Sequence, residues 1–502
     1  MDLLTQGLEW EEEKQMSYNN MTKEKLKFIV RDEKIHDDKF ETKPIGYFKD
    51  AMIRFAKNKG SIVAAIIILI LFLYAILTPI FARYDMSQSD VFYSNMPPRN
   101  EFFAKFGFWN GLKTKEVKQF YYDYYSGIPG AMSKLIETKE VDDGFKKNIV
   151  YKIKIDPYAI VGYFYDFVTP EEFAKMQQYE KDTGIRLLEP IIDTSKIEMI
   201  GKDTDANLWY KTDSKGIAQR DSNGQLVNIF VEDKNSEYGD GYSHYIKQNE
   251  GKYKIRYSYK EFYKYKNGFY ASFIFGSDTM GYDIVSRLAG GARFSFLLGI
   301  SISIINILIG VIFGAIQGYY GGWADLFMEG ISDILARLPF IVVAILFNMH
   351  LAQKVGPLGA IFFAFILTGW LSIAYRTRTQ FYRFKGSEHV LASRTLGAKD
   401  RRLIFKHILP NGIGTMVTSF ILIIPGVIFA EAGLSYLGVI DLESKTLTSV
   451  GTLLSAGHTV MADHPHVIFF PAMFISFLML SFNIFGNGLR DAFNPSLRGA
   501  SE

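Results

Sequence analysis

The most informative residue spacing in this sequence predicts a binding surface and not a catalytic site. Glu388, Leu391, Ala392 and Thr395 recur at intervals of three and four, which places them on one face of a helix. Gly397 follows two residues after that face and can end the helix in a left-handed conformation. The surrounding stretch is polar and basic. We interpret this face as a surface for docking a partner protein.

The usual catalytic motifs are missing. The sequence has no GxxxxGK[ST] phosphate loop, no HExxH pair and no GxSxG elbow. It has no cysteine, so thiolate sites and disulfides are excluded. His464 and His466 flank Pro465, but two histidines without carboxylate company leave a metal site as the less favoured alternative. We therefore predict no catalytic residue, no metal and no cofactor bound by this chain, so that any energy source lies on a partner.

The docking face belongs to a predicted helix–glycine–helix segment, Gly386 to Asn411. Ser387 is the expected N-cap of the first helix, because serine oxygens accept free amide protons at helix starts. Asp400 is expected to cap a second short helix, and Pro410 to end it. The apolar residues expected in that second helix are Leu403, Ile404, Phe405 and Ile408.

Long apolar runs indicate a membrane protein. About 20 helical residues cover a hydrocarbon core of roughly 30 Å. Six runs qualify as predicted spans: Ile62–Ala82, Phe294–Tyr319, Ile334–Leu351, Leu358–Tyr375, Gly412–Leu437 and Val467–Leu489. The fold class predicted is an all-α polytopic membrane protein in contact with membrane lipid. The formal net charge of +3 is too small to indicate nucleic acid as a partner.

The positive charges predict the orientation of the spans. Basic residues precede the first span, and nine more lie between the fourth and fifth spans, whereas the outer loops carry few. The nine are Arg376, Arg378, Arg383, Lys385, Arg394, Lys399, Arg401, Arg402 and Lys406. Because positive loops stay inside the cell, both termini and the docking segment are predicted to be cytoplasmic. No cleavable signal peptide is visible, since the first apolar run begins too late.

These features divide the chain into five parts. The predicted parts are a cytoplasmic tail (1–60), a first transmembrane helix (61–83), an extracytoplasmic insertion (84–275), a core with five further spans (276–490) that contains a cytoplasmic loop (376–411), and a cytoplasmic C-terminal tail (491–502).

The insertion, which holds most of the chain's 30 tyrosines, is predicted to be an α+β domain. Thr169-Pro170 suggests a helix start. Hairpin turns are expected at Asp221–Gly224 and at Asn267–Gly268. The tyrosines either build the domain's own core or mark a binding face.

Polar residues inside the predicted spans have two interpretations. Asn306, Asn348, Glu431 and Asn483 are candidates for lining a pore, and the alternative is hydrogen bonding between helices.

Asp333 and Arg337 are one turn apart and are expected to pair or to reach the membrane surface. Glycines at 299, 310, 314 and 318 predict close helix approach along the second span. The segment Gly276–Arg293 is expected to lie along the outer membrane surface.

Several motifs resemble one known family. The pattern of Glu388, Ala392, Gly397 and Leu409-Pro410 resembles the cytoplasmic EAA-type loop of ABC importer permeases, in the version of oligopeptide and dipeptide permeases. Leu391 and Ser393 depart from that pattern. Three further stretches resemble the same family: Gly276–Ser295, Gly318–Pro339, and Glu431–Gly438 with Phe482–Arg498. The resemblance favours the C-type subunit, but the large insertion does not match the usual short form.

The resemblance implies the permease fold and a pore-forming role in an ATP-driven importer of oligopeptides in the bacterial cell membrane. The implied partners are a sister permease, two cytoplasmic ATPase subunits that bind ATP and Mg, and an extracytoplasmic peptide-binding protein. The implied ATPase-coupling residues are Glu388, Leu391, Ala392, Arg394, Gly397, His407 and Pro410. Transport of another small solute such as nickel, or a membrane-anchored receptor acting through the insertion, are the alternatives. The insertion is further hypothesised to form a docking platform for the binding protein.

Overall fold

The computed structural model describes residues 47–142, 147–199, 204–214, 216–248, 250–444 and 446–493. Most of the predicted N-terminal tail, the end of the C-terminal tail and Lys445 of the last outer loop lie outside these residues. The chain divides into two units, Met1–Met52 and Ile53–Glu502. Everything below concerns the second unit, apart from the bounds of the helix Tyr47–Lys57 that begins in the first.

Long apolar helices dominate both ends of this unit. Among the described residues, five are long and apolar enough to cross a membrane: Lys59–Phe81, Ile284–Tyr320, Phe340–Phe384, Asp400–Tyr436 and His466–Phe493. Within and between them lie these shorter elements: helices Gly322–Ala336, Phe340–Gly369, Leu371–Phe384, Glu388–Thr395, Asp400–Arg402, Leu409–Ile421, Ile423–Tyr436 and Val450–Thr459, and a π-helical turn Leu403–Ile408. Lys59–Phe81 is called the first span, Ile284–Tyr320 the second span and His466–Phe493 the last span.

The predicted third and fourth spans share one of these five helices. Gly356 has φ +79° and ψ 163°, which breaks the helix Phe340–Gly369, and Pro357 follows it. The two arms then fold back on each other, because the rings of Phe340 and Phe365 lie only 4.7 Å apart. In an unbroken helix those residues would be about 37 Å apart. The segment is therefore a helical hairpin that turns at Gly356.

Two predicted span boundaries are wrong. The third span was expected from Ile334, but the helix Gly322–Ala336 ends there and Pro339 is the N-cap residue of the next helix. Proline restricts the residue before it to extended backbone, so the helix cannot run through. The segment 276–293 was expected to lie along the membrane surface. The helix of the second span begins at Ile284 and not at the predicted Phe294, and its first turns are largely buried. The position of the segment relative to the membrane surface stays a prediction.

Close helix approach along the second span is confirmed. A methyl group on Gly314 would lie 2.8 Å from Thr377 Cβ, and one on Gly318 would lie 2.6 Å from Phe381 Cβ. Both neighbours belong to the helix Leu371–Phe384. Only glycine leaves room for this contact, which joins the second span to the chain leading into the docking segment.

The insertion contains strands and helices. Its strands are β1 (Lys113–Lys118), β2 (Met132–Asp142), β3 (Lys147–Ile155), β4 (Tyr163–Val168), β5 (Leu188–Glu189), β6 (Tyr245–Lys247) and β7 (Tyr253–Ser258). Its helices are Glu101–Ala104, Gln119–Ser126, Pro157–Ile160, Pro170–Thr183 and Tyr259–Asn267, with 3-10 turns Val91–Tyr93 and Thr194–Lys196. One antiparallel sheet has the order β1-β3-β2. In the other, β4, β5 and β6 all pair with β7.

One of the two predicted hairpins is wrong. Asn267–Gly268 does not join two strands, because Tyr259–Asn267 is a helix and Gly268 is its left-handed cap at φ +79°. Asp221–Gly224 does form a tight turn, in which the Asp221 amide donates to the Gln225 carbonyl over 2.9 Å. The predicted helix start at Thr169 is confirmed, since its hydroxyl accepts from the Glu172 amide.

The insertion's tyrosines mostly build its interior. Tyr93 is 1% exposed, and its ring centroid lies 5.2 Å from that of Tyr263 and 6.1 Å from that of Tyr158. This cluster also contains Tyr84 and Phe273, and it lies directly beyond the first span. The core-building interpretation therefore describes most of the rings, whereas Tyr121 remains half exposed.

Candidate functional site: the segment Gly386–Asn411 and the polar groups of the long helices

The helix Glu388–Thr395, called the coupling helix, presents the predicted docking face to solvent. Glu388, Leu391, Ala392 and Thr395 are all exposed, and Leu391 retains 45% of its surface. Leu396, one residue beyond the helix, is 89% exposed. Gly397 has φ +82° and open space around it, so it can turn the chain where another residue would be strained. Two exposed leucines beside a glycine turn form a small apolar surface suited to a protein groove.

The opposite side of the coupling helix is anchored. Val390 is fully buried in a cluster with Leu403, Ile404 and Ile408 from the following helix. Phe381 from the preceding helix and Tyr319 from the second span complete this cluster. The coupling helix therefore packs against elements that lead into three different membrane helices.

Two polar contacts reinforce this anchor. The Tyr319 hydroxyl donates to Asp400 Oδ1 over 2.6 Å, and it accepts from Arg394 Nη2 over 3.2 Å. The Arg394 guanidinium also lies 5.6 Å from the centre of the Tyr319 ring. Arg394 is thus held by contacts within its own chain; its implied part in coupling to an ATPase stays a prediction.

Ser387 and Asp400 begin their helices differently from prediction. Ser387 is at the N-cap position, but its hydroxyl donates to the Phe384 carbonyl over 2.6 Å instead of accepting an amide proton. Lys399 is the N-cap of the second helix, and Asp400 is its first residue.

Pro410 does not end the second helix, as had been predicted. A π-helical turn covers Leu403–Ile408, and helix continues from Leu409 to Ile421. A proline inside a helix lacks an amide and collides with the carbonyl four residues earlier. The wider π turn is a known way to absorb such a defect. His407 lies in this turn, where its carbonyl accepts from Asn411 Nδ2 over 2.7 Å.

An ion-pair cluster ties the inner helix Gly322–Ala336 to the helix Leu371–Phe384. Arg378 donates to Asp325 Oδ2 over 2.7 Å and to both Glu329 oxygens over 2.8 Å. The Tyr382 hydroxyl also donates to Asp325. Burial alone would raise the pKa of Asp325, but the hydrogen bonds from Arg378 and Tyr382 hold that pKa below its usual range. Arg378 thus has a specific structural role in addition to its positive charge.

Glu431 lies in the interior, between helices. It is 0% exposed, and its carboxylate accepts from Ser295 Oγ over 3.1 Å and from Ser435 Oγ over 3.0 Å. Ser295 belongs to the second span, so the contact joins two membrane helices. This geometry matches the alternative of interhelical hydrogen bonding; lining a pore stays a prediction.

The three asparagines are in three different settings. Asn306 is 1% exposed and donates to the Phe365 carbonyl over 3.3 Å. Asn348 donates to the Val439 carbonyl over 2.6 Å. Asn483 is exposed and donates to the Met479 carbonyl of its own helix over 2.9 Å. The four candidate pore residues are therefore not gathered into one cluster in this chain. The Arg337 amide donates to the Asp333 carbonyl over 3.2 Å; pairing of their side chains stays a prediction.

His464 Nδ1, in the loop before the last span, lies 3.0 Å from Lys113 Nζ of β1. Burial and the nearby lysine lower the pKa of His464. No group of three or more His, Asp or Glu side chains within the described ranges is placed to hold a metal ion.

Sequence reasoning missed three residues of this site. Leu396 lies four residues after Ala392, so the helical period could have included it in the docking face. Tyr319 and Arg378 gave no such signal, because their partners are 81 and 53 residues away along the chain. Their roles depend on which helices pack together.

Comparisons with known proteins agree with the sequence motifs. Residues 306–499 match the family described as binding-protein-dependent transport system inner membrane component, and residues 46–98 match the N-terminal TM domain of oligopeptide transport permease C. The oligopeptide transport system permease protein OppC of Bacillus subtilis (strain 168) is 43% identical over 224 residues, which are 45% of this chain and 72% of that protein. The dipeptide transport system permease protein DppC of the same organism is 42% identical, over 45% of this chain and 69% of that protein.

A solved structure of the MetNI methionine ABC transporter in an inward-facing conformation is also similar. It has 17% sequence identity and a TM-score of 0.35, and the match covers 41% of this chain and 96% of that chain.

Proposed function

Because the chain belongs to the family of binding-protein-dependent transport permeases, in its oligopeptide and dipeptide C-type branch, we propose that it is a pore-forming subunit of an ABC importer for oligopeptides. The observation that carries the proposal is the coupling helix. Its outer face is exposed, whereas Val390 on its inner side is buried against elements of three membrane helices. A short rigid helix held in this way converts movement of a partner into rigid-body movement of spans.

The complex proposed has four further subunits. A sister permease would complete the pore, and two cytoplasmic ATPases would bind ATP and Mg and move the coupling helix. An extracytoplasmic binding protein would deliver the peptide. This chain itself would bind no cofactor. Leu396 joins Glu388, Leu391, Ala392 and Gly397 as the proposed contact with one ATPase.

We further propose six membrane crossings with both termini in the cytoplasm. Phe340–Phe384 counts as two crossings because it folds back at Gly356. Its 45 residues would extend about 68 Å as one straight helix, more than twice the hydrocarbon thickness. Four crossings precede the coupling helix, and this even number places it on the same side of the membrane as the N-terminus. The insertion then forms an α+β domain outside the cell, where it can serve as a platform for the binding protein.

The test is ATP-dependent uptake of a labelled oligopeptide by proteoliposomes that contain the whole complex. Uptake should require the binding protein, and Glu388→Lys should abolish peptide-stimulated ATP hydrolysis while the subunits still co-purify. Uptake of Ni²⁺ in place of peptide would show that the importer carries a different solute. Peptide binding by the chain without any need for ATPases would support the receptor alternative.

A further inference from the structure

The insertion exposes an unusual group of phenylalanines. Residues 100–109 form a closed loop, called the phenylalanine loop, because the Asn100 amide donates to the Trp109 carbonyl over 2.8 Å. Four of its rings lie on the surface, and their exposed fractions are 64% for Phe102, 40% for Phe103, 66% for Phe106 and 70% for Phe108. Full burial of a phenylalanine side chain stabilises a folded protein by about 1.5–3 kcal/mol relative to leaving it exposed. Leaving four of them in water is unfavourable.

The loop is ordered by its own hydrogen bonds. Asn100 Oδ1 accepts from the amides of Phe102 and Phe103, over 2.9 and 3.3 Å, and so caps a short helix. The Phe106 amide then donates to the Phe103 carbonyl. The rings are thus held outward by a defined backbone.

Ring contacts place the loop at the level of the membrane helix ends. The Trp109 ring lies 6.0 Å from the ring of Phe470, which is in the first turns of the last span. Phe102 and Phe81 line the same cavity of about 920 Å³, and Phe81 is the final residue of the first span. Phe81 is itself 78% exposed. The exposed rings therefore continue the lipid-facing surface of the first span.

Basic side chains accompany the rings. Arg83 and Lys260 line the same cavity, and Lys105 is exposed within the loop itself. Arg83 lies 4.5 Å from the centre of the Phe269 ring, and Lys260 lies 5.1 Å from that of Tyr270. The other charges at the cavity are Arg99, which pairs with Asp156 over 3.2 Å, and Asp283. Glu101 of the loop offsets Lys105 in charge, so the cavity lining supplies an excess of one positive charge beside the exposed rings. Positive charge beside exposed rings matches an anionic lipid headgroup above an acyl region.

We propose that the phenylalanine loop docks into the membrane, in the leaflet on the insertion's side. Its four rings enter the boundary between headgroups and acyl chains, and Arg83, Lys105 and Lys260 contact anionic phospholipid headgroups. The loop thereby fixes the height of the insertion above the pore. The proposal concerns this chain and its lipid alone, so it does not depend on the ATPases or on which solute is carried.

The absence of cysteine allows a direct test with single spin labels. The full chain is reconstituted in nanodiscs of equal parts phosphatidylcholine and phosphatidylglycerol. Labels are placed by Phe106→Cys, by Ile70→Cys at a site 58% exposed on the first span, and by Asn223→Cys in the exposed Asp221–Gly224 turn. Accessibility to oxygen and to a water-soluble nickel chelate reports depth. The measured depth of the label at position 106 should be interfacial, between the depth of the label at position 70 and that of the label at position 223.

Two results would overturn the proposal. A label at 106 as accessible to the nickel chelate as the label at 223 would place the loop in water. A label at 106 that is shielded from both reagents only when the binding protein or sister permease is added would make the loop a protein contact. The lipid preference has its own arm: the double variant Arg83→Gln and Lys105→Gln should remove the difference in depth between these nanodiscs and pure phosphatidylcholine nanodiscs, and an unchanged difference would contradict the headgroup contact.

Discussion

The two polar regions at opposite ends of the membrane helices are built differently. The segment Gly386–Asn411, which contains the coupling helix, joins the spans through one buried cluster and leaves Leu391 and Leu396 exposed. The insertion is instead bonded closely to the helix ends. Ser286 Oγ of the second span donates to the Tyr84 carbonyl over 2.8 Å, and Lys113 Nζ of the insertion lies 3.0 Å from His464 Nδ1, two residues before the last span. The difference suggests that one region transmits movement from a partner and the other extends the spans as a fixed structure.

The largest expected effect comes from the exposed coupling surface. Leu396→Asp should lower peptide-stimulated ATP hydrolysis about tenfold or more, because a buried apolar contact in an interface is replaced by a charge. The folding of the chain itself should not change, since Leu396 is 89% exposed. Ile217→Asp, at a site in the insertion that is 45% exposed, is the matched control and should keep full activity. Equal activity of both variants would remove the functional distinction between the regions.

The ion-pair cluster provides a second test. Arg378→Met should destabilise the chain by about 2 kcal/mol, because it leaves Asp325 buried without its cation while solvent screens part of the loss. The measurement is the thermal unfolding midpoint of the full chain in detergent. The double variant with Asp325→Asn should recover part of the loss. If the two single effects simply add, the pair is not coupled as described.

A pH-dependent effect is expected at the insertion's attachment. Burial raises the pKa of Asp283 to about 6, against 3.8 for the free side chain. A raised pKa means that the protonated form is favoured in the folded chain. The contribution to stability is thus fully present below about pH 3.8 and is lost as the pH rises through 6. By linkage the loss is at most about 3 kcal/mol.

Asp283→Asn should weaken this dependence, because an amide stays neutral. The unfolding midpoint of the variant should fall less than that of the wild type between pH 4 and 7. The loss of the carboxylate at a helix N-terminus offsets part of the gain at neutral pH. An identical pH profile for both proteins would show that Asp283 is not buried in the way described.

The smallest effect is expected at Tyr319. Tyr319→Phe removes the hydroxyl that joins Asp400 and Arg394 but keeps the ring in its cluster, so the expected loss is about 1 kcal/mol. ATP hydrolysis by the complex should become less dependent on peptide, while subunit assembly stays intact. Unchanged peptide dependence would show that the anchor does not require this hydrogen bond.

Local sequence patterns predicted some features well and others poorly. The face Glu388–Thr395, the close approach at Gly314 and the helix start at Thr169 follow from periodicity, size and capping, which act over a few residues. The path through Pro410 could not be predicted, because a π turn and tertiary packing override the usual effect of proline. The hairpin expected at Asn267–Gly268 required a strand before the turn, but the chain is helical from Tyr259 to Asn267. The setting of Glu431 depends in part on Ser295, which is 136 residues away along the chain.

The central claim is that the coupling helix contacts an ATPase. Since the chain has no cysteine, Leu396→Cys can carry one photoactivated cross-linker in the assembled importer. Leu437→Cys, 63% exposed at the far end of the helix Ile423–Tyr436, serves as the control. We predict that position 396 cross-links to an ATPase subunit and that position 437 does not. Cross-linking of 396 only to lipid or to the sister permease would contradict the account.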